Sequence, residues 1–471
     1  MKKLSLIIIL VLIVTIVTSC SQDEEILNPD KPTTITVWHY YHGQIKEEFD
    51  NLVAEFNATV GKERGIVIDA KSHSDVGKLG DAVYNAANEN IGSQPLPDIF
   101  AAYPENAFRV NKVSPLVDLE EYFSKEELDS YRQEFIAEGR FGKNNKLMIL
   151  PIAKSTEILY LNKTDWDQFA AKSGVTLDDL ETWEGIAKTA KKYYKTTGES
   201  FFSIDSNANF MLLSAMQLGE EIYDYQSGSV ELNFSKELAK KIWEVYYIPY
   251  LKDYFKKVGR FSSDDARTGV IISYTGSTAG AMYFPQQVAL SKDNTQPIEV
   301  ETLPYPHYKN GKPYVFQQGA GMVITESNQT REYAASLFLK WFTKVEQNIE
   351  FSLATGYFPV KDKALKEDLL LSSLPTEKTD NPAVAETIKT ALAMFEEYKL
   401  YTNKPFEKSY RIRRLFETHL FQKVQRDKDI LESRVAQGEK RSAVIAELTA
   451  EEEFEKWYQE FKTEAASILS N

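Results

Sequence analysis

Five histidines, at 39, 42, 73, 307 and 419, and a single cysteine, Cys20, are all the soft-metal and thiol chemistry this 471-residue chain can draw on. His39 and His42 stand three apart, but they fall at the end of a strand-like run and not on a helix face that would aim both rings at one ion. One cysteine excludes a disulfide framework and a cysteine-ligated metal cluster. No metal or cofactor is expected. Glycoside hydrolysis would need two carboxylates roughly 5–10 Å apart across a cleft; acidic residues are plentiful, yet no hydrolase motif marks such a pair. Groups that bind without reacting are better represented. Ser155 and Thr156 carry short hydroxyls that either donate to an oxygen-rich solute or bond their own backbone as turn residues. Tyr274-Thr275-Gly276-Ser277-Thr278 follows a strand and opens a helix, where free N–H groups and hydroxyls form a cradle for an anion or a polarised hydroxyl, or a simple N-cap. Trp38, Tyr40, Tyr41 and Trp183 are aromatic platforms for a sugar face, or core residues at strand ends.

The elements that must position these groups alternate in type. Thr33 to Trp38 has β-branched alternation and precedes a helix from Gln44 to Asn57 with Ile45, Phe49, Leu52, Val53 and Phe56 on one face. A strand at 65–70, a helix at 78–90 and a strand at 97–102 follow, with a short helix after Glu105 and a capping box at Ser124–Glu127. Such alternation predicts a parallel sheet covered by helices. Strands at 147–151 and 157–161 are joined by 152–156, a crossing between lobes. The middle, 165–257, reads as largely helical, with Thr182 capping a helix at Trp183 and an apolar face of Ile242, Trp243, Tyr246 and Tyr247. Strand character returns at 269–274 and 321–325, and helices dominate from Thr330 onward.

Composition bounds the rest. Hydrophobic residues make up 43% and aromatics 12%, too many for a disordered chain. A net charge of −14 argues against a nucleic-acid partner. The apolar run from Leu4 to Val17, behind Lys2 and Lys3, is too short for a permanent span and reads as a signal-peptide core. It ends in Val17-Thr18-Ser19-Cys20, which resembles the bacterial lipobox, and so Cys20 is expected to become a lipidated N-terminus. The acidic stretch from Ser21 to Pro32 would tether the folded body to a membrane.

Several stretches then line up in one order: VWHYYHGQIKEEFDNLVAEFN, LPDIFAAY, LPIAKSTEILYLNK, TWEGIAKTA, SYTGSTAGAM, GAGMVITESNQTREYAASLFLKWF and ATGYFPV. Over residues 33 to 425 the chain resembles the family 1 extracellular solute-binding proteins of bacterial ABC importers, in the branch of sugar and glycerol-phosphate binders. That resemblance implies an α/β fold with two lobes, of the type II periplasmic-binding-protein kind, hinged to close on a solute that is handed to membrane permease subunits without chemistry. It places a lipoprotein signal peptide at 1–20, a tether at 21–32, lobe one at 33–153 and 275–342, and lobe two at 154–274 and 343–471. A monomer is expected.

The resemblance also implies ligand contacts. Ser155 matches a contacting serine of the glycerol-phosphate branch. Tyr274, Thr275 and Ser277 stand in the family's serine-rich string, which Tyr274 and Thr275 partly replace. Gly319, in Gln318-Gly319-Ala320-Gly321, matches a position where a backbone N–H meets ligand. Tyr357 matches a tyrosine that packs on or bonds the solute. Arg413 matches a phosphate-binding arginine, whose fork suits phosphate or carboxylate. Glu105 stands near the branch's acidic contact, whereas its binding tyrosine is replaced around Lys71–Ser74. Those departures favour a sugar or related polyol, captured at the site with Trp38 and Trp183 as stacking candidates. Alternatives are glycerol 3-phosphate or a glycerophosphodiester as solute, an exported carbohydrate-active enzyme, or a metal-binding receptor.

Overall fold

A computed structural model describes residues 26–470 apart from 143, 227–228, 292–293 and 380. Cys20, the signal peptide and the start of the tether lie outside the described residues. Eight strands form two four-stranded sheets: β1 (Thr33–His39), β2 (Ile66–Ser72), β3 (Ile99–Ala102), β4 (Glu157–Asn162), β5 (Phe202–Ile204), β6 (Ser273–Ser277), β7 (Val300–Leu303) and β8 (Gly321–Ile324). The chain divides into two compact units, the first comprising residues up to Ile152 with Ala320–Phe351, the second Ala153–Gly319 with Ser352 onward.

In the first unit the order is β8-β3-β1-β2. β1 runs parallel to β2 and β3, as strand–helix alternation requires, and β8 closes the edge antiparallel to β3 with Val323 opposite Phe100. The helix Gly43–Ala58 buries Phe49, Leu52, Val53 and Phe56 of the expected stripe and leaves Ile45, in its first turn, half-buried. Phe56 meets Phe338 and Trp341 of the helix Gln329–Phe342 at centroid distances of 5.1 and 5.3 Å. Asp98, just ahead of β3, accepts from Thr36 N at 2.7 Å and from Arg331 Nε and Nη2 at 2.6 Å each. One carboxylate thus ties two strands to a helix.

In the second unit the order is β7-β4-β6-β5, with β4 antiparallel to both β7 and β6, and β6 parallel to β5. All six residues of β4 are buried, so this strand is the centre of the core. Pairing of β6 with β4 and β5 carries 275–319 into the second unit. That corrects the expected boundary, which assigned 275–342 to the first lobe; only the part from Ala320 belongs there, and it extends to Phe351. The strand expected at 269–274 is displaced to Ser273–Ser277, because the register pairs Tyr274 with Tyr160 and Ser277 with Glu157. The capping box at Ser124 and the Thr182 cap form as read, Thr182 Oγ1 accepting from Gly185 N. Among the described residues no helix is long and apolar enough to cross a membrane.

Candidate functional site

The segment that enters the second unit is held on both sides. Lys154 exchanges backbone hydrogen bonds with Phe358, and Ser155 exchanges them with Gln318. Lys154 Nζ donates to Gly319 O at 2.8 Å. Gly319 sits at φ +99, and a Cβ there would stand 2.4 Å from Ala153 O, so only glycine lets the two segments approach this closely. With its backbone committed to Gln318, Ser155 is not a self-bonded turn residue; its Oγ accepts from Ser277 Oγ at 3.5 Å. Ser277 also caps the short 3-10 helix Thr278–Tyr283 by accepting from Ala279 N. Thr278 Oγ1 accepts from Thr156 N, and Thr156 Oγ1 donates to Phe316 O.

Arg413 lies on the helix Ser409–Ala436. Of the three arginines 411, 413 and 414, two are exposed and Arg413 is half-buried. Its guanidinium stands 5.1 Å from the Phe316 ring centroid, and its Nη2 donates to Asn209 Oδ1 at 2.5 Å. One turn further along the same helix, Glu417 Oε2 accepts from Ala208 N at 2.8 Å, so a carboxylate of the chain already caps the helix Asn207–Leu218. Asp205 accepts from Ser262 N and stands 3.5 Å from Lys257 Nζ.

Glu157, the first residue of β4, faces this group. Burial pushes its carboxyl up to about 8, and Asp205 and Glu417 act in the same direction; the Asn209 amide and Arg413 pull the other way. Although the Asn209 amide lies close enough to act on Glu157, its Nδ2 meets hydrogen-bond geometry with no described residue, and neither does Glu157 Oε2. Both side chains are buried, at 1% and 3% exposure.

Ser155, Ser277, Gly319 and Arg413 are therefore neighbours through Phe316 and Gln318. Tyr357, half-buried, precedes Phe358 of the same clamp and lines a cavity of about 20 Å³ with Thr278, Lys378 and Thr387. Tyr274 and Thr275 take a different place from the one expected. They are internal to β6, and the Tyr274 ring stacks on Tyr160 at 5.1 Å within the core. Trp183 is also core: it is 1% exposed and its indole N–H donates to Gln217 Oε1, because the helix it opens packs its first turn inward. In the first unit, Trp38 is 5% exposed, 4.6 Å from the His73 ring and 5.8 Å from Lys71 Nζ. Glu105 is half-buried in the first turn of the helix Pro104–Asn111. His39 is wholly buried, its Nδ1 accepting from Tyr41 N and its pKa lowered by burial to about 4, which is the behaviour of a core histidine. A cleft of about 610 Å³ beside Arg267, Tyr283 and Asn381 contains none of the expected residues.

Sequence reasoning missed Glu157, Asn209, Phe316 and Glu417. A readable signal existed for Glu157 alone, a charged residue leading the apolar run Ile158-Leu159-Tyr160-Leu161. The other three are brought in by helix packing between distant segments.

Residues 51–385 match the model of a family described as bacterial extracellular solute-binding protein. An arabinooligosaccharide-binding protein of Bacillus subtilis (strain 168) is 24% identical over 54% of this chain, a match spanning only 54% of that relative's length. The sn-glycerol-3-phosphate-binding periplasmic protein of Escherichia coli (strain K12) is 22% identical, over 72% of this chain and 76% of its own. Among solved structures, the cyclic alpha-maltosyl-1,6-maltose binding protein from Arthrobacter globiformis superposes with a TM-score of 0.64 at 18% identity, over 93% of this chain and 99% of that one. UgpB from Mycobacterium tuberculosis, in complex with glycerophosphocholine, gives 0.62 at 18% identity over 85% of this chain and 99% of that one. These likenesses establish the two-lobed solute-binding fold, and the family match covers well over half of the residues: the chain belongs to the bacterial extracellular solute-binding protein family.

Proposed function

We propose that this protein is the solute-capturing component of an ABC importer: exported, held to a membrane through lipidated Cys20, and taking a sugar or related polyol without chemical change. The observation that carries the reading is a chain of contacts within the second unit: Ser277 Oγ donates to Ser155 Oγ, the neighbouring Thr156 Oγ1 donates to Phe316 O, and the Arg413 guanidinium stands over the Phe316 ring. It offers hydroxyls, a planar cationic donor and an aromatic face, the set with which a polyhydroxylated solute is bound. Hydrogen bonds to charged groups are worth about 1.5–3 kcal/mol, so Arg413→Ala is expected to weaken the solute by roughly tenfold or more. A phosphate ester is the second reading, favoured by the glycerol-phosphate-binding relatives and by the arginine itself; there the loss on truncation would be about 2–5 kcal/mol. Calorimetry of the wild type and Arg413→Ala against neutral oligosaccharides and glycerophosphodiesters tests both. Cell fractionation of the same strains tests the anchor, since a Cys20→Ala protein should leave the membrane fraction. If no saccharide or phosphate ester binds, or Cys20→Ala stays anchored, the corresponding part of the reading is wrong.

A further inference from the structure

We propose that the cleft beside Arg267, Tyr283 and Asn381 is a second saccharide-binding site, which takes a neutral oligosaccharide apart from the Arg413 site. The class of solute rests on the reading of the protein as a saccharide receptor; the cleft rests on its own geometry, all of it within the second unit.

One face of a hairpin lines the cleft. The strands Gln287–Ser291 and Asn294–Pro297 pair antiparallel, with Gln287 opposite Pro297 and Ala289 opposite Thr295. Val288 between them is 4% exposed, so alternation along the strand turns Gln287 and Ala289 to the other face, beside their cross-strand partners. All four residues line the cleft. Three of them are small or compact, and they leave room above the hairpin.

Beside the hairpin stands an aromatic ring fixed from behind. Phe284 is buried and stacks on Tyr160 at 5.8 Å and on Tyr274 at 6.2 Å in the core. Pro285 follows it, which restricts Phe284 to the extended backbone it adopts. Tyr283, just ahead of this anchor, is 56% exposed, and its ring meets no other ring among the described residues. Arg267, the last residue of the helix Ser262–Arg267, donates from Nη2 to Tyr283 O at 3.5 Å and so joins the same wall. Asn381 enters from the start of the helix Pro382–Glu397. Its Oδ1 accepts from Ala383 N, which fixes the amide and leaves Nδ2 without a partner among the described residues.

The lining selects among solutes. A volume of about 610 Å³ falls within the roughly 300–1,000 Å³ of small-molecule sites. None of the described lining residues is acidic, on a chain of net charge −14, so the cleft offers nothing to a metal ion or an ammonium group. An anion meets a single guanidinium and no second cation. What remains is three carboxamides, a threonine hydroxyl and a ring face. Amides both donate and accept, as sugar hydroxyls do, and a tyrosine ring packs on the apolar face of a sugar. The Gln287 amide and Thr295 hydroxyl have no hydrogen-bond partner among the described residues, so engaging them breaks no internal bond. The cleft is also separate from the Arg413 site: Ser277 caps one end of the 3-10 helix Thr278–Tyr283 and Tyr283 closes the other, and six residues at about 2.0 Å each span about 12 Å.

The test is calorimetry of the full-length protein with maltotriose, maltoheptaose, arabinotriose and arabinoheptaose, alone and with inorganic phosphate as competitor. Wild type, Tyr283→Ala, Tyr283→Phe and Arg413→Ala are compared. The wild type should show two saccharide-binding events. Tyr283→Ala should weaken one of them by about tenfold or more and leave the other unchanged, with an unaltered melting temperature because the side chain is exposed. Tyr283→Phe, which keeps the ring, should retain both, and Arg413→Ala should weaken only the other event. A wild type with no event that Tyr283→Ala weakens overturns the proposal, and an Arg413-dependent event seen in that case leaves the receptor reading intact. Phosphate displacing saccharide from the Tyr283-dependent event overturns the assignment to a neutral solute. A Tyr283-dependent event without an Arg413-dependent one upholds the cleft and removes Arg413 from the solute site.

Discussion

At the scale of single residues, Trp183 shows an aromatic side chain committed to packing and not to a ligand. Trp183 meets Phe210 at 4.8 Å and Tyr305 at 5.5 Å, both edge-on, and its N–H is spent on Gln217, whose own Nε2 donates to Pro306 O and Tyr314 O. Such a residue holds three segments of the second unit together. Trp183→Ala is expected to cost about 3–5 kcal/mol by urea denaturation, and Trp183→Phe to recover most of that, short of the lost hydrogen bond. A loss below about 1 kcal/mol would return Trp183 to the surface of a site. Its type and its position after a cap were legible in the sequence; its direction was not, since a helix opening with tryptophan reads alike whether its first turn faces the core or a cleft. Arg413 is the opposite case. Three arginines in four positions suggest a solvated face, and helical geometry leaves room for one to turn inward, which Arg413 does.

Elements came through most clearly where one segment held the whole signal. The helix Gly43–Ala58, the Thr182 cap and the β-branched run of β1 are local patterns of periodicity and capping. The strand expected at 147–151 is reduced to Lys146–Leu147, paired with Arg140–Phe141, and the strands Tyr223–Gln226 and Ser229–Leu232 carry too few residues for alternation to show, so that the middle of the chain read as largely helical. The last three helices, Ser409–Ala436, Arg441–Leu448 and Glu451–Ser470, are packed on the second unit around a buried cation. Lys423 is 6% exposed, with Nζ 2.8 Å from Asp427 and 3.2 Å from Glu453, and it lies within 6 Å of the Trp243 and Tyr247 rings. Tyr247 OH closes the network by donating to Asp427. The π-helical turn Trp243–Tyr247 brings the two rings face to face at 3.6 Å, beneath that ammonium. Removing the cation leaves two carboxylates close together without it. Lys423→Ala should therefore cost about 3–5 kcal/mol in chemical denaturation, whereas Lys423→Met with Asp427→Leu, which removes the cation and the more buried of its two carboxylates and leaves Glu453 half-exposed, should cost less. Equal losses in the two variants would mean that packing of the stem, and not charge, holds these helices.

At the scale of the whole molecule, each unit is assembled from segments far apart in sequence. The first unit ends at Ile152 and is completed only by Ala320–Phe351, which supplies the edge strand β8 and the helix Gln329–Phe342. That returning segment buries Met322, Val323, Ile324, Phe338, Leu339 and Phe342 at 1% exposure or less. At about 1.5–3 kcal/mol for each large apolar side chain, its burial is comparable with the whole of the roughly 5–15 kcal/mol by which a domain is stable. Without it, β3 loses its antiparallel neighbour and Asp98 loses the Arg331 fork. A chain stopped after Ile152 should show no cooperative melt by circular dichroism. The same segment joined through a flexible linker to 320–351 should melt cooperatively, because the β8-β3-β1-β2 sheet and both faces of its core are then present. If the short chain folds alone, the sheet does not need its fourth strand. If the joined chain stays unfolded, the first unit draws on the second for its stability, and the two are one cooperative body.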